Sequence, residues 1–367
     1  MPNLNYAEVW EKELLDILIQ ETLTSPFITQ NVKFLDAKTF HFTQMSTSGY
    51  KPHSRNGGWN SGSYTQTDVP FTLTHDRDIE FLIDKANVDE TNSTASIQNV
   101  SMTFEKTQAS PEIDALFFSK VAQTAQAAQG YSSITPSLAY TNANVFRNLK
   151  TFLNSGKLRR YKANGSLIMY VSSLVMDLLE QSTEFTRKIE MTQIAEGGLG
   201  IQTRITDIDG VPLMEVIDDE RFYDRFNFDP EDGGFEPAAA VYAKTTDAAL
   251  VTGKTYYTRS GSEGAYTYTA VASPNVSNIA TYYEKTTPGS RKINVLIATP
   301  ETTKAVPKIS SIYYFAPGSH TKGDGWLYQN RALSDVFTFP NGKDGNIDSV
   351  YVDVDTTEYT GKGDLKC

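Results

Sequence analysis

The chain has 367 residues, 39% hydrophobic and 21% charged, which is the composition of a globular protein with room for more than one compact unit. Against 44 Asp and Glu there are 33 Lys and Arg, and the formal charge of -11 argues against a protein whose main task is to grip phosphate backbones. The single cysteine, Cys367, excludes an internal disulfide and a thiolate metal cluster. Since no signal peptide or membrane-spanning run is visible, we predict a soluble protein made inside a cell.

The first predicted element is an amphipathic helix over residues 5–21, with Asn5 as N-cap and Pro26 closing the segment. Its apolar positions recur at steps of three and four: Tyr6, Val9, Trp10, Leu14, Ile17 and Leu18. Such a stripe must lie on a surface. The surface is either the core of the same chain or a neighbouring subunit.

Residues 32–83 are interpreted as two extended arms around a polar tip rich in Gly, Ser, Asn and Tyr. The arms carry alternating apolar residues: Phe40 and Phe42, then Val69, Phe71, Leu73, Ile79, Phe81 and Ile83. An isolated two-stranded ribbon is marginal in water, and loops longer than about 15 residues are uncommon unless functional. We therefore expect the ribbon to pack on something outside its own domain. An ordinary surface loop is the alternative.

Residues 92–130 are predicted to be helical with one break. Ser110 has the character of an N-cap for the second piece, with Pro111 at the first helical position and acids at Glu112 and Asp114. Gly130 ends the helix. The predicted apolar face comprises Ile113, Leu116, Phe117, Val121 and Ala125.

Residues 137–236 alternate between helix and strand patterns, which indicates mixed α/β or α+β material. NANVFRNLKTFLNSG predicts a helix closed by Gly156, and SLIMYVSS predicts an apolar strand that leads into a helix. TRITDIDGVPLMEV predicts two strands around an Asp-Gly turn, and RKINVLIATPE, further along, predicts another strand.

Residues 238–287 differ in composition from the rest of the chain. They contain no Phe, Trp, Met or His but seven of the 20 tyrosines, in short β-like runs separated by turn residues. We predict a small all-β domain inserted into a loop of its host and call it the β module. Its tyrosines either form its own small core or are exposed, adding subunit contacts or binding a decoration protein or a host glycan.

Motifs that carry catalysis or bind cofactors are missing from the sequence. The four histidines are scattered, and there is no phosphate loop and no nucleophile elbow. Residues 207–210 and 229–234 resemble calcium loops only superficially, because neither has the bidentate Glu at position twelve. Asp207 and Asp209 with Glu215 could form a carboxylate pair, but nothing nearby in the sequence indicates an acid that is kept protonated. We expect no catalytic, cofactor or metal residues. An enzyme using the acidic residues 207–232 remains an alternative.

Several phrases, and the order of the predicted elements, resemble the major capsid proteins of tailed bacteriophages with the Hong Kong 97 fold, as found in siphophages of Gram-positive hosts. The segments are DKANVDET at 84–91, SPEIDALFFSKVAQTA at 110–125, IDGVPLMEV at 208–216, INVLIATPETTKAVPKI at 293–309 and NRALSDVFTFPNGKDGNI at 330–347. The resemblance implies an α+β fold with an N-terminal arm, an extended β loop, a long spine helix and an axial α/β domain.

The implied domain boundaries follow from that order. They are an arm at 1–31, an extended loop at 32–84, a peripheral domain with the spine helix at 85–131 and 336–360, an axial domain at 132–237 and 288–335, and the β module at 238–287.

The resemblance further implies a coat subunit without enzymatic activity that self-assembles into pentamers and hexamers of an icosahedral or prolate shell. The expected partners are further copies of the chain, a separate scaffolding protein, a portal and packaged DNA bound without sequence specificity, with no membrane. The protein would be assembled in the host bacterial cytoplasm and reside in the virion. Candidate inter-subunit contacts are Trp10, Tyr50, Arg55, Trp59 and Tyr64. Another phage structural protein, such as a tail tube subunit, or an adhesin carrying a β module is the alternative.

Overall fold

The computed structural model describes most of the chain. The described residues are 22–29, 39–53, 57, 59–84, 97–128, 130–135, 140–156, 158–182, 189–194, 201–231, 233–247, 249–262, 266–340 and 347–359. The helix predicted over residues 5–21 lies outside these ranges, as do the first residues of the helix predicted over 92–130.

The α-helices of the described chain lie between residues 97 and 180, whereas strands occur before, among and after them. The α-helices are α1 (Ile97–Phe104), α2 (Ser110–Ala127), α3 (Val145–Leu153), α4 (Leu158–Ala163) and α5 (Ser173–Glu180). The strands are β1 (Thr39–Thr47), β2 (Tyr64–Thr72), β3 (His75–Asp84), β4 (Ser132–Ile134), β5 (Ile168–Ser172), β6 (Ile189–Ile194), β7 (Ile201–Ile208), β8 (Val211–Val216), β9 (Phe226–Asn227), β10 (Glu236–Pro237), β11 (Val241–Lys244), β12 (Tyr257–Ser260), β13 (Thr267–Ala270), β14 (Tyr283–Thr287), β15 (Arg291–Ala298), β16 (Thr303–Phe315), β17 (Gly325–Thr338) and β18 (Tyr351–Glu358). The predicted mixture of helix and sheet is confirmed.

A seven-stranded sheet, in the order β4-β18-β15-β5-β8-β7-β6, forms the centre of the larger body. Its middle strands are apolar on both faces because both faces are covered. Tyr170 and Leu296 pack with α2 on one face, whereas Met169, Val171 and Val295 pack with α3, α4 and α5 on the other. The sheet is therefore the middle layer of three.

A second sheet contains the long strands β16 and β17 with β3 at its edge, in the order β16-β17-β3. Alternation predicted β3 as part of the second ribbon arm, but β3 pairs along its length with β17, from His75 with Ser334 to Asp84 with Gly325. The C-terminal strands also divide differently from the predicted boundary between 288–335 and 336–360. β16 and β17 pair with β3, whereas β18 pairs with β15 and β4 in the seven-stranded sheet.

The long helix does not break where the sequence predicted. Ser110 is not an N-cap: its backbone is helical, at φ -63° and ψ -47°, and a π-helical turn over Glu105–Ala109 joins α1 to α2. The Ser110 hydroxyl donates a hydrogen bond to the Glu105 carbonyl at 2.9 Å. The extra residue of the π turn is thus accommodated without ending the helix. Helix α2 ends at Ala127, shortly before Gly130 at φ +84°.

Other local predictions are confirmed. Helix α3 is followed by Gly156, whose φ of +49° suits a residue without a Cβ. Strand β5 leads directly into α5. Strands β7 and β8 meet at Asp209 and Gly210, both at positive φ (54° and 80°), as a two-residue hairpin turn requires.

Residues 241–287 form a four-stranded sheet of their own, in the order β11-β14-β12-β13. The two ends of this segment lie side by side. Val241 pairs with Thr287, and the Ser290 amide donates to the Ala238 carbonyl at 2.8 Å. No helix in the described part of the chain is both long and apolar enough to cross a membrane.

Candidate assembly surfaces

Strands β1 and β2 form a ribbon (residues 39–72) in which nine residues of each strand face each other, from Thr39 with Thr72 to Thr47 with Tyr64. At about 3.3 Å per residue the paired strands extend for about 30 Å. Among the strands of the described ranges, β1 and β2 pair only with each other. A two-stranded ribbon of this kind is marginally stable without further packing.

The tip of the ribbon (residues 48–63) is held together by its own hydrogen bonds. The Ser48 amide donates to the Ser63 carbonyl at 2.8 Å, and Lys51 Nζ donates to the Ser61 carbonyl at 3.0 Å. Every described residue of the tip is exposed. The tip is a defined shape with nothing packed against its described residues.

The base of the ribbon is fixed to the three-stranded sheet. The Phe71 ring lies edge-on to Phe337 and Phe339, with centroids 5.0 and 5.1 Å away, and Leu73 is buried. The Thr74 amide donates to an Asp335 carboxylate oxygen at 3.0 Å. Since the base is anchored and the tip is free of the body, the ribbon projects from the three-stranded sheet.

Three of the five predicted contact residues lie on this ribbon. The exposed fraction of the side chain is 109% for Tyr50, 98% for Trp59 and 73% for Tyr64. Aromatic side chains are enriched in protein interfaces relative to the rest of the surface. Trp10 and Arg55 lie outside the described residues.

A segment missed by the sequence reasoning, residues 22–29, is bound to the spine helix α2. The buried Asp114 carboxylate accepts hydrogen bonds from the Leu23 amide at 3.1 Å, the Thr24 amide at 3.1 Å and the Thr24 hydroxyl at 2.8 Å. Arg221 Nη1 lies 3.0 Å from the same carboxylate. Burial raises the pKa of Asp114 above its ordinary value, and the Arg221 guanidinium opposes that shift.

Hydrophobic packing completes this anchor. The Phe27 ring is fully buried, 4.7 Å from the Phe117 ring between centroids, and the Thr29 amide donates to the Ala305 carbonyl at 2.9 Å. The sequence pattern placed Asp114 in the exposed first turn of a new helix. Because the helix is continuous there, Asp114 instead points into the core, where it needs the partners that residues 22–29 and Arg221 supply.

A groove of about 930 Å³ lies between α1, the π turn and the three-stranded sheet. At its mouth, Glu112 binds His75 Nε2 at 2.8 Å and Arg77 Nε at 2.9 Å. Inside, the carboxyl of Glu105 is only 2% exposed and accepts a hydrogen bond from Asn330 Nδ2 at 2.9 Å. Burial raises the pKa of Glu105 to about 7, although the Asn330 bond acts in the other direction.

Among the described acidic residues of 207–231, Asp209 is paired with two lysines. Lys162 and Lys150 lie 2.9 and 3.3 Å from its two oxygens. The hydrogen bond from Lys162 is the main cause that lowers the pKa of Asp209. An acid held ionised by two lysines is a surface ion pair and not a proton donor. Within the described ranges, no group of three or more His, Cys, Asp and Glu side chains is placed to hold a metal ion.

Comparison with known proteins gives matches only among solved structures. No family model and no curated protein matches the chain. The mature capsid of bacteriophage PhiM1 is 13% identical, with 88% of this chain and 83% of that chain covered, at a TM-score of 0.45. The capsid of cyanophage P-SCSP1u is 11% identical, with 92% and 89% covered, at a TM-score of 0.46.

A third similar structure is the capsid of Staphylococcus phage Andhra, which is 11% identical, with 92% of this chain and 84% of that chain covered, at a TM-score of 0.40. All three are capsids of phages, the kind of particle that the sequence resemblance names.

Proposed function

We propose that this chain is the major capsid protein of a tailed bacteriophage and self-assembles, as pentamers and hexamers, into an icosahedral or prolate shell around the genome. The observation that carries the proposal is the ribbon of residues 39–72. It is anchored at its base, and among the described residues its two strands pair only with each other. A shell subunit needs such a projecting element, because each copy must hold a neighbour through a surface different from its own receiving surface.

The conformational entropy lost when the ribbon is ordered supports a partner that packs against it. Ordering a residue costs about 1–2 kcal/mol of backbone conformational entropy, and a two-stranded ribbon recovers little of this by burial. Exposed Trp59 and Tyr50 add apolar surface that would be covered in an interface. The ribbon is therefore assigned to a contact with the next subunit, together with Tyr64 and, outside the described residues, Trp10 and Arg55.

The assembly role defines the partners. A separate scaffolding protein would guide copies of the chain into a closed shell, a portal would replace some copies at one vertex, and DNA would fill the interior. The charge of -11 suits a wall that encloses DNA without gripping it. Assembly would take place in the bacterial cytoplasm, the product would reside in the virion, and no catalytic step is required.

The domain assignment is proposed in a form that follows strand pairing. The arm (1–31) and the extended loop (32–84) remain, except that β3 joins the peripheral domain with the spine helix, β16 and β17. The axial domain comprises the seven-stranded sheet, including β18. The β module (238–287) is an insertion between β10 and β15 of the axial domain.

Shortening the ribbon tests the proposal. Replacing residues 44–67 by Asn-Gly closes the ribbon at the facing pair Thr43 and Asp68, with a dipeptide that favours a two-residue turn. We expect a folded subunit with an unchanged unfolding midpoint that no longer forms shells, tubes or capsomers when co-expressed with scaffold. Size-exclusion chromatography and negative-stain electron microscopy provide the measurement.

A milder pair of variants separates contact from folding. Tyr50→Ser with Trp59→Ser removes exposed rings and should reduce shell yield, while Ile217→Ser removes an apolar side chain that is 65% exposed on the body and serves as control. Shells of normal yield from the shortened ribbon would overturn the proposal, and so would an unaltered chain that stays monomeric with scaffold present.

A further inference from the structure

The four-stranded sheet of the β module has one face made of tyrosines and cations. Residues two apart in a strand share a face, so Tyr257 and Arg259 lie together on β12, and Tyr283 and Lys285 on β14. Pairing across strands brings Lys244 opposite Tyr283 and Arg259 opposite Tyr268. This surface, the tyrosine face, comprises Tyr242, Lys244, Tyr257, Arg259, Tyr268, Tyr283 and Lys285, with the neighbouring Tyr266.

The module keeps its hydrophobic core elsewhere. Tyr256, Ile279 and Tyr282 are buried together, and the Tyr256 hydroxyl donates to Asp247 at 2.8 Å. The tyrosines of the tyrosine face are only half-buried, and Tyr266 is 39% exposed. Two of the seven tyrosines therefore fill this core. Of the other five, Tyr242, Tyr257, Tyr268 and Tyr283 pack against one another on the opposite side of the sheet.

The ring faces on this surface are already occupied. Tyr242 and Tyr268 stack on each other with centroids 4.1 Å apart and planes at 7°. The Arg259 guanidinium lies between two rings, 4.2 Å from the Tyr266 centroid and 4.9 Å from the Tyr283 centroid. What the surface offers to a ligand is therefore ring edges, phenol hydroxyls and the outer N–H groups of Arg259, and not open faces on which nucleic-acid bases could stack.

Charge is segregated across the sheet. Arg259 and Lys244 are exposed, and within the described residues no carboxylate lies within ion-pair distance of either. Lys285, at the inner end, is paired with Glu358 at 2.8 Å. The acids of the module that the structure describes, Asp247 and Glu284, are both bound to Lys254, at 2.8 and 2.7 Å. The tyrosine face thus carries two unpaired positive charges in a chain whose net charge is -11.

The size of the tyrosine face limits what can bind to it. Four strands about 4.8 Å apart and four to five residues long would cover roughly 200–300 Å² if flat. Because Tyr242 on one edge strand stacks on Tyr268 on the opposite edge strand, the sheet is curled and the face is smaller than this. It lies well below the roughly 800 Å² per partner of a stable protein interface. A single polymer chain fits such an area. Hydroxyl and guanidinium donors around aromatic edges suit a ligand that carries both hydroxyl groups and carboxylates.

We propose that the tyrosine face of the β module is a binding site for an acidic polysaccharide, with Arg259 and Lys244 binding its carboxylates and the tyrosine hydroxyls its sugar hydroxyls. Holding Arg259 between two rings orients its N–H fork before the ligand arrives, which reduces the entropy lost on binding. The site goes beyond the shell role and does not depend on it.

The test uses the full-length protein and fluorescently labelled polygalacturonate, with dextran of similar length as the uncharged probe. At low ionic strength we expect polygalacturonate to bind and dextran not to bind, with affinity falling as salt is added. Arg259→Gln with Lys244→Gln should weaken binding about tenfold or more, since two charge-assisted hydrogen bonds are lost. Arg147→Gln with Arg159→Gln makes the same change of net charge on exposed residues of the body and should leave binding unchanged.

A further variant tests whether the planar N–H donors of the Arg259 guanidinium matter. Arg259→Lys retains the charge but loses the planar donors. Its affinity for polygalacturonate should therefore lie between that of the unaltered protein and that of the Arg259→Gln, Lys244→Gln variant. The inference is overturned if polygalacturonate does not bind, if both double variants lose affinity equally, or if single-stranded oligothymidylate binds more tightly through the same two residues. Shell formation by the Arg259→Gln, Lys244→Gln variant, scored by electron microscopy, should be normal. Failure of the binding prediction is thereby distinguished from failure of the proposed shell function.

Discussion

Glu105 offers a sharp test of how the long helix is held on the three-stranded sheet. Its carboxyl is 2% exposed below the π turn and accepts one hydrogen bond, from Asn330. The amide oxygen of Asn330 is buried and has no hydrogen-bond partner among the described residues. A protonated Glu105 could donate to that oxygen, whereas an ionised one cannot.

The magnitude follows from the shifted pKa. Burial raises the pKa of Glu105 from 4.5 to about 7. Because one pKa unit corresponds to about 1.4 kcal/mol, ionising the buried group costs about 3 kcal/mol of folding free energy. The shift is upward, so this contribution to stability is fully present below about pH 4.5 and is lost as the pH rises through about 7.

Glu105→Gln keeps the shape of the side chain, accepts the same hydrogen bond and is neutral at every pH. We expect the variant to exceed the unaltered protein in free energy of unfolding by about 1 kcal/mol at pH 5 and by about 3 kcal/mol at pH 8. Urea unfolding followed by circular dichroism at both pH values measures this difference. Glu301→Gln, at an exposed position, is the matched control and should be neutral at both.

The reasoning is refuted if the free energy of unfolding changes between pH 5 and pH 8 by the same amount in Glu105→Gln as in the unaltered protein. It is also refuted if the variant is less stable than the unaltered protein at pH 8, since the ionised carboxylate would then be well accommodated.

Two smaller perturbations address the anchor of residues 22–29 and the glycine after α3. Thr24→Val removes the hydroxyl bonded to Asp114 and should lower the free energy of unfolding by about 1 kcal/mol. Asp114→Ala should cost about 3–5 kcal/mol, because the Leu23 and Thr24 amides lose their acceptor and Arg221 loses one of its two carboxylate partners. Equal losses in urea titrations would contradict this. Gly156→Ala should cost about 1–2 kcal/mol, since φ is +49° and the new Cβ would lie 2.6 Å from the Tyr131 ring. Gly165→Ala, at φ +69° with open space around it, should cost less, and the reverse order of thermal midpoints would refute the clash.

Local structure could be predicted from the sequence where the signal is local. Gly156 lies in the turn that follows α3 and adopts a positive φ, and the Asp209-Gly210 pair forms the turn between β7 and β8 for the same reason, a left-handed backbone. Both features depend on the backbone preferences of one or two residues. The apolar strands β5 and β15 were likewise recognisable, because a strand covered on both faces must be apolar throughout.

Predictions failed where a distant partner decides the outcome. The Ser-Pro-Glu sequence from Ser110 is a good start for a helix, but contacts of Glu105 and Asp114 with Asn330 and Thr24 favour a continuous helix instead. Alternation identified β3 as a strand but could not tell that β17, about 250 residues away, is its partner. Pairing over such distances is set by tertiary packing and leaves no mark in the local pattern.

The contact role of Tyr50, Trp59 and Tyr64 stays a prediction. The structure shows that all three are exposed. The tyrosines of the β module were divided between two hypotheses, a core and a surface, and the structure contains both: Tyr256 and Tyr282 are buried, and the others lie on the opposite side. Residue spacing alone could not separate them, because Tyr256-Tyr257 and Tyr282-Tyr283 are adjacent pairs that point to opposite faces.

The fixed position of Thr24 on the spine helix joins the preceding residues to the folded body. If the helix predicted over residues 5–21 contacts a neighbouring copy, that contact is tethered to the body through the bond between Thr24 and Asp114. A tethered contact is populated at an affinity too low for free molecules to associate. Releasing Thr24 from Asp114 would therefore weaken the contact without changing any residue that takes part in it.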